Sequence, residues 1–309
     1  MHPQTIMITG GTGLVGQYLT EMLLAAGHEV IVLTRKPAHQ SARQGLRFAK
    51  WDVEAGFIDA AALAAADAIV HLAGAPVVAK PWTEAYKKEI VDSRVKSGQL
   101  IAEALHTLDN KISTVVSASA IGWYGADVPG HPAFVETDPA DDQFLGETCR
   151  LWEAAITPVA TMGRRLVIPR IGIVLAKDGG ALAEFKKPLQ FRVAGVLGHG
   201  RQMVSWIHIH DLCRMMVYAL YEPAVNGVYN AVSPHPVSNE ALTLTLAKAM
   251  HGKAFIKMHV PEFVLKTMMG ERSVEVLKSA HVSAHKIQSA GFAFQFPTIE
   301  KALQDLAGK

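Results

Sequence analysis

One octapeptide limits what this chain can fold into. Thr9-Gly10-Gly11-Thr12-Gly13-Leu14-Val15-Gly16 lies between an apolar run that ends at Thr9 and a helical pattern that begins at Leu14. Thr5–Thr9 reads as a strand and Leu14–Ala26 as a helix closed by Gly27. Glycine allows a tight turn and a close approach of backbone to a ligand. The helix that follows opens with free N–H groups and the positive end of its dipole, which suits phosphate. A strand, a glycine turn and a helix within a unit of about 30 residues point to a site for the pyrophosphate of a dinucleotide. The residues expected to line it are Gly10, Gly11, Thr12, Gly13, Leu14, Val15 and Gly16.

The alternation continues along the first half. Glu29–Thr34, Leu46–Trp51, Ala68–Leu72, Ile112–Ser117 and part of Arg165–Leu175 are apolar runs of strand length. Helical patterns separate them, the longest over Thr83–His106. Strands apolar on both faces, alternating with helices, predict an α/β fold with a Rossmann-type, doubly wound parallel sheet. The pattern loosens after Leu175. Gly179-Gly180 and Gly195–Gly200 read as loops, and Val204–Ile209 as a strand. Asp211 reads as the N-cap of a helix reaching Tyr221, and Gly227–Ala231 as another short strand. Phe292, Phe294 and Phe296 alternate as on one face of a short strand, and Met268-Met269 reads as core or pocket lining. The expected division is a dinucleotide-binding domain over 1–235, with an insertion around 176–203 directed at the substrate region. A smaller mixed α/β substrate cap then covers 236–309.

Composition narrows the partners. Lys plus Arg number 30 and Asp plus Glu 28, a net charge of +2. The clustered basic surface that nucleic acid needs is missing, so no nucleic-acid partner is expected. The longest apolar stretch, residues 58–78, is cut by Asp59, Asp67 and His71 and falls short of the roughly 20 apolar residues of a spanning helix. No membrane association is expected. The opening residues lack the basic start and apolar core of a secretion signal. Cys149 and Cys213 form no paired motif, which fits a reducing compartment and buried small side chains. The expected location is cytoplasmic. His208 and His210 share a strand face on this reading, with no third ligand at a recognisable spacing, so no metal is expected.

The end of the second strand selects the nucleotide. NAD-binding folds of this kind place Asp or Glu there to hold the ribose 2′-hydroxyl. Here the strand runs into Leu33-Thr34-Arg35-Lys36, with no acid. Arg35 offers a planar fork to a 2′-phosphate and Lys36 adds charge. The cofactor expected is therefore NADP(H).

The glycine turn, His71-Leu72-Ala73-Gly74, Ser117-Ala118-Ser119-Ala120 and Trp206-Ile207-His208-Ile209-His210-Asp211 together resemble the extended, epimerase-like branch of the short-chain dehydrogenase/reductase superfamily. The order Ser-Ala-Ser-Ala-Ile-Gly-aromatic-Tyr-Gly over Ser117–Gly125, and a terminal module over about Val260–Leu306, are similar to an atypical NADP-binding subgroup of the NAD-dependent epimerase/dehydratase family. The resemblance covers nearly the whole chain. It implies that Leu72, Ala73 and Gly74 pass beside the cofactor and that Asp52 meets the adenine amino group. It places Arg94 where extended members usually carry an Asn near the cofactor, within reach of ribose or phosphate, with Glu89 positioned to orient it. It also implies that Ser119 hydrogen-bonds the substrate oxygen.

The same resemblance calls for a Tyr that acts as acid or base and a Lys four residues later that lowers its pKa and holds the ribose. This chain has Phe144 and Thr148 at those places. Losing positioned acid–base help costs roughly 10²–10⁴-fold in rate. Tyr124, Glu147, His208 and His210 remain as candidates to move a proton. Two functions follow. One is an NADP(H)-dependent oxidoreductase or epimerase acting on a small carbonyl or sugar-nucleotide-like substrate. The other is an NADPH-binding sensor or regulatory protein without turnover. A homodimer built on long helices, common in the superfamily, stays open.

Overall fold

The computed structural model describes residues 2–128, 130 and 132–307. β1 (Thr5–Thr9) passes through the glycine turn into α1 (Leu14–Ala25). β2 (Glu29–Thr34), β3 (Leu46–Asp52) and the short β4 (Phe57–Ile58) follow, then α2 (Ala60–Ala65), β5 (Ala68–His71) and the long α3 (Glu84–Thr107). β6 (Thr114–Ser117) and β7 (Ser119–Ala120) lead to α4 (Phe144–Ile156), α5 (Pro158–Thr161) and β8 (Arg165–Ile171). Next come β9 (Ile173–Ala176), α6 (Gly180–Leu189), β10 (Val193–Leu197), β11 (Met203–Val204), β12 (Trp206–His208), α7 (Ile209–Tyr221) and β13 (Gly227–Ala231). The remainder holds β14 (Val237–Ser238), α8 (Asn239–His251), β15 (Ile256–Val260), α9 (Glu262–Met269), α10 (Ser273–Leu277), α11 (His285–Ser289) and α12 (Ile299–Ala307).

The main sheet runs β13-β8-β6-β5-β1-β2-β3-β4, with β7 beside β8. Its pairs are parallel except β3 with β4. The chain builds outward from β1 through β2 to β3, then returns to β5 on the other side of β1. The order thus reverses between β1 and β5, where sheets of this kind hold ligands beyond their carboxyl ends. The Rossmann-type, doubly wound sheet expected from the sequence is the fold observed.

Alternation along each strand explains why both faces are covered. Ile6, Ile8, Val32, Val70 and Val116 join one core with Leu19 and Leu23 of α1 and Leu212 and Met216 of α7. Met7, Ile31, Ile69 and Val115 join a second core with Leu63 of α2, Ile101 and Leu105 of α3 and Val159 of α5. A third core lies off the sheet. It unites Leu182 and Leu189 of α6, Ala194 of β10 and Trp206 of β12 with Leu242 and Leu246 of α8 and Leu303 and Leu306 of α12. Residues of the 176–203 insertion and of the C-terminal region therefore share one interior.

Several local expectations are corrected. Gly195 lies within β10, because Val193–Leu197 pairs in parallel with β15. The cap of α7 is His208, whose side chain accepts from the His210 N–H. Asp211 sits inside the first turn, fully buried, and accepts the N–H groups of Gln295 and Phe296. His210 accordingly lies on a helix, not on a strand face with His208. No strand forms at Phe292–Phe296: Phe292 enters the first core, while Phe296 stacks on His208 at 3.9 Å and enters the third. Met268 is 75% exposed and lines no core. Among the described residues no helix is long and apolar enough to cross a membrane, and no three His, Cys, Asp or Glu side chains converge as a metal site.

Candidate active site

The glycine turn closes tightly on itself and on the end of β5. The Gly13 N–H donates to Gly10 O at 3.0 Å. Gly10 has φ +68°, and a Cβ there would lie 2.8 Å from the Leu72 carbonyl. A Cβ on Gly16 would fall 2.3 Å from Gly10 O and 2.5 Å from Gly11 Cα. Only glycine fits either place without moving backbone. α1 starts at Gly13 with no side-chain cap and no acid in its first turn, and Thr12 and Gly13 are exposed. Its opening N–H groups are free to meet an anion.

Beneath the turn runs a chain of buried hydrogen bonds. Thr9 Oγ1 accepts from the N–H groups of Leu72 and Ala73 at 3.1 and 3.2 Å. Its own proton is left for His71 Nδ1 at 2.6 Å. His71 then carries its proton on Nε2, facing Ser97 Oγ at 3.2 Å, and the Ser97 hydroxyl donates to the Arg94 carbonyl at 3.0 Å. Burial, with a smaller push from the Arg94 charge, drives His71 down to about 3, so the ring is neutral. The links Thr9–His71–Ser97–Arg94 tie the glycine turn to α3.

The basic pair expected to read the nucleotide is where the sequence places it. Arg35 and Lys36 follow β2, are exposed, and make no ion pair among the described residues. Asp52 ends β3, half-buried, and accepts from the Ala55 N–H at 3.2 Å. Gly74 lies under the Arg94 guanidinium, since a Cβ there would sit 3.1 Å from Arg94 Cζ. Glu89 does not orient Arg94. It bonds Lys80 at 3.3 Å on the surface, because five residues along a helix carry a side chain past the neighbouring face.

Ser119 belongs to a network that the sequence reading missed. Its hydroxyl donates to Glu153 Oε1 at 2.7 Å. Arg170 grips the same carboxylate through Nε at 2.8 Å and Nη2 at 3.0 Å. Arg170 Nη1 donates to the Tyr124 hydroxyl, which in turn donates to Asn230 Oδ1 at 2.7 Å. Every member is buried. The signal for it was a charge inside the apolar run Val167–Ile171, which demands a buried partner. Tyr124 is wholly buried and stacked on Phe134, and burial raises it to about 12. It is held as a structural hydroxyl. Glu147 lies at the surface, bound through both oxygens to Arg150, which holds its carboxyl below the usual range.

Phe144 packs edge-on against Trp82, and the Thr148 hydroxyl turns back to the Phe144 carbonyl. Neither supplies a titrating group. His208 is buried against Phe296, and burial lowers it. Cys149 is buried and pushed up to about 11, so it stays a thiol. Beside the start of α4 opens a cleft of about 380 Å³. Asp141, Gln143 and Leu145 line one side, and Lys266, Ser273 and Lys278 from the C-terminal region line the other. Lys278 Nζ reaches the Tyr124 carbonyl at 3.4 Å and pairs with Glu275.

Residues 6–145 match the NAD dependent epimerase/dehydratase family, and residues 260–306 match a domain of unknown function, DUF1731. An epimerase family protein of Bacillus subtilis, YfhF, is 33% identical over 302 residues, 97% of each chain. The solved human epimerase family protein SDR39U1, with NADPH, is 29% identical and superposes with a TM-score of 0.84 over 98% of this chain and 99% of that one. A UDP-glucose 4-epimerase from Thermotoga maritima, 18% identical, shares the fold with a TM-score of 0.79 over 98% of this chain and 97% of its own. A relative one-third identical along nearly its whole length settles the kinship: this chain belongs to the NAD-dependent epimerase/dehydratase family, with the NAD(P)-binding fold that the glycine turn announces.

Proposed function

We propose that the protein is an NADP(H)-dependent oxidoreductase or epimerase acting on a small carbonyl or sugar-nucleotide-like substrate. The observation that carries this reading is the exposed, acid-free pair Arg35–Lys36 beside the uncapped start of α1. The residues fit the cofactor: free N–H groups for a diphosphate, and a guanidinium with no carboxylate competing for a 2′-phosphate. The human neighbour solved with NADPH supports the same choice. When bound, NADP(H) supplies a hydride donor or acceptor.

The chain's part is to bind and orient. The cleft between α4 and the C-terminal region receives the substrate. Ser119 has its one proton committed to Glu153, so its oxygen accepts a hydrogen bond from a substrate hydroxyl rather than donating to a carbonyl. With Phe144 and Thr148 in place of acid, base and cation, proximity and orientation carry most of the catalysis. The second reading, an NADPH sensor without turnover, is favoured by the same two residues.

Calorimetry with NADPH and NADH tests the cofactor. A charged hydrogen bond contributes about 1.5–3 kcal/mol, roughly a tenfold to hundredfold preference for NADPH. Arg35→Gln should remove most of it, and equal affinities in the unmodified protein would sink the reading. A screen of carbonyl compounds and nucleotide sugars for NADPH oxidation or epimer formation tests turnover. Tight NADPH binding with no product across the screen favours the sensor.

A further inference from the structure

We propose that two copies of this chain meet at the open edge of β15, joining their β10–β15 ribbons into one four-stranded sheet about a two-fold axis. Among the described residues β15 pairs with β10 and with no other strand. That pairing uses alternate residues. The Ile256 N–H donates to the Arg192 carbonyl at 2.8 Å, and the Gly198 N–H donates to the Val260 carbonyl at 2.9 Å. Ile256, Met258 and Val260 therefore turn their backbone groups toward β10. Lys257 and His259 turn theirs to the open side, where no protein group meets them among the described residues.

The strand is bare as well as unpaired. Four of its five residues are exposed and Val260 is half-buried. Ile256 is 71% exposed and Met258 53%, on one face of the strand. A ribbon of two strands is marginal by itself, and an apolar open edge is a template for a further strand. Lysine on such an edge commonly guards it. Here Lys257 is tied back to Glu240 of α8 and leaves the edge clear.

The register identifies the occupant. Ile256-Lys257-Met258-His259-Val260 alternates apolar and basic residues and reads alike in both directions. An antiparallel second copy with Met258 opposite Met258 sets Lys257 opposite His259 and Ile256 opposite Val260. Lys257 and His259 are the residues with free groups, so each such pair exchanges both of its hydrogen bonds. The two Met258 side chains meet in a non-hydrogen-bonded pair, where side chains approach most closely. A slip of one residue would oppose free groups to groups that β10 already uses. A slip of two would set Lys257 against Lys257, or against Pro261, which has no N–H. Each Lys257 brings its own carboxylate, and Lys266 and Glu262 pair on the helix that follows, so these lysines add no net like charge to the meeting faces. One strand edge thus complements itself, as a two-fold contact requires.

The test is sedimentation and light scattering of the full chain. The contact is small, so a reversible dimer should form at concentrations on the order of 1–100 μM. Met258→Glu places two carboxylates face to face at the axis and should weaken the dimer at least tenfold. Met258→Cys gives the positional reading. Cα atoms in such a pair lie about 4.5 Å apart, within the span of a disulfide, so mild oxidation should lock a dimer that survives denaturant. Cys149 and Cys213 are buried and do not compete. Met268→Cys is the control: Met268 is more exposed, at 75%, but lies on α9 and should cross-link far more slowly. Thermal melts report folding, and should Met258→Glu fail to fold, the rate of cross-linking decides. The proposal is overturned if the chain stays monomeric up to about 500 μM, well above the range of weak specific contacts. It is also overturned if the dimer ignores Met258→Glu, which would put the contact on another face, or if Met258→Cys cross-links no faster than Met268→Cys.

Discussion

A histidine at the end of an apolar strand reports on pH even when it touches no ligand. His71 is neutral when folded and takes up its proton only near pH 3, against 6.5 for an ordinary histidine. The unfolded chain therefore binds one more proton than the folded chain between those values. Stability from this residue is intact above about pH 6.5 and is lost progressively as pH falls toward 3. At pH 5 the loss is about 2 kcal/mol, from 1.36 kcal/mol per pH unit. Denaturant melts at pH 7 and pH 5 should show this drop, and His71→Asn should reduce it. An unchanged pH dependence in the variant would place the acid sensitivity elsewhere.

The same residue scale separates what could be read from the sequence. The exposed place of Arg35 and Lys36 at the end of β2 was legible because it follows from the strand run and its distance from the glycine turn. Glu153 and Arg170 were not, because Glu153 of α4 meets Arg170 of β8 across 17 residues, where α4 packs over β7 beside β8. No local spacing records such a meeting. Glu89 failed for the opposite reason: the spacing looked close to a helical neighbour, but Lys80 lay nearer.

At the scale of elements, strands were the easiest to place. Burial on both faces writes them as short continuous apolar runs, and β1, β2 and β13 fall at their expected residues. The start of α7 was missed by three residues, because a histidine cap is rarer than an aspartate cap and Asp211 proved to serve a distant loop. The glycine turn offers a test at this scale. Gly16→Ala pushes a methyl into the backbone of Gly10 and Gly11, which should cost about 1–3 kcal/mol as overpacking. Calorimetry should show NADPH affinity falling at least tenfold. Gly27→Ala is the control: its φ of +82° makes it strained, but its Cβ meets nothing, so cofactor affinity should hold.

At the scale of the whole molecule, the third core joins the 176–203 stretch to α8 and α12 of the C-terminal region. Leu303 of α12 is fully buried among residues from the insertion and from α8. Leu303→Ala should destabilise the protein by about 2–5 kcal/mol. The measurement is a denaturant melt with NADPH binding followed in parallel. If NADPH affinity falls as much as stability does, the C-terminal region is not separable from the cofactor half.

The discontinuity of that core also bears on synthesis. α6 leaves the ribosome well before α12, and at 5–20 residues per second the interval is on the order of 5–20 s. During it the sheet can close, but Leu182, Leu189 and Trp206 lack the part of their cover that α12 brings. A nascent chain at that stage exposes a sticky apolar face beside a finished nucleotide fold.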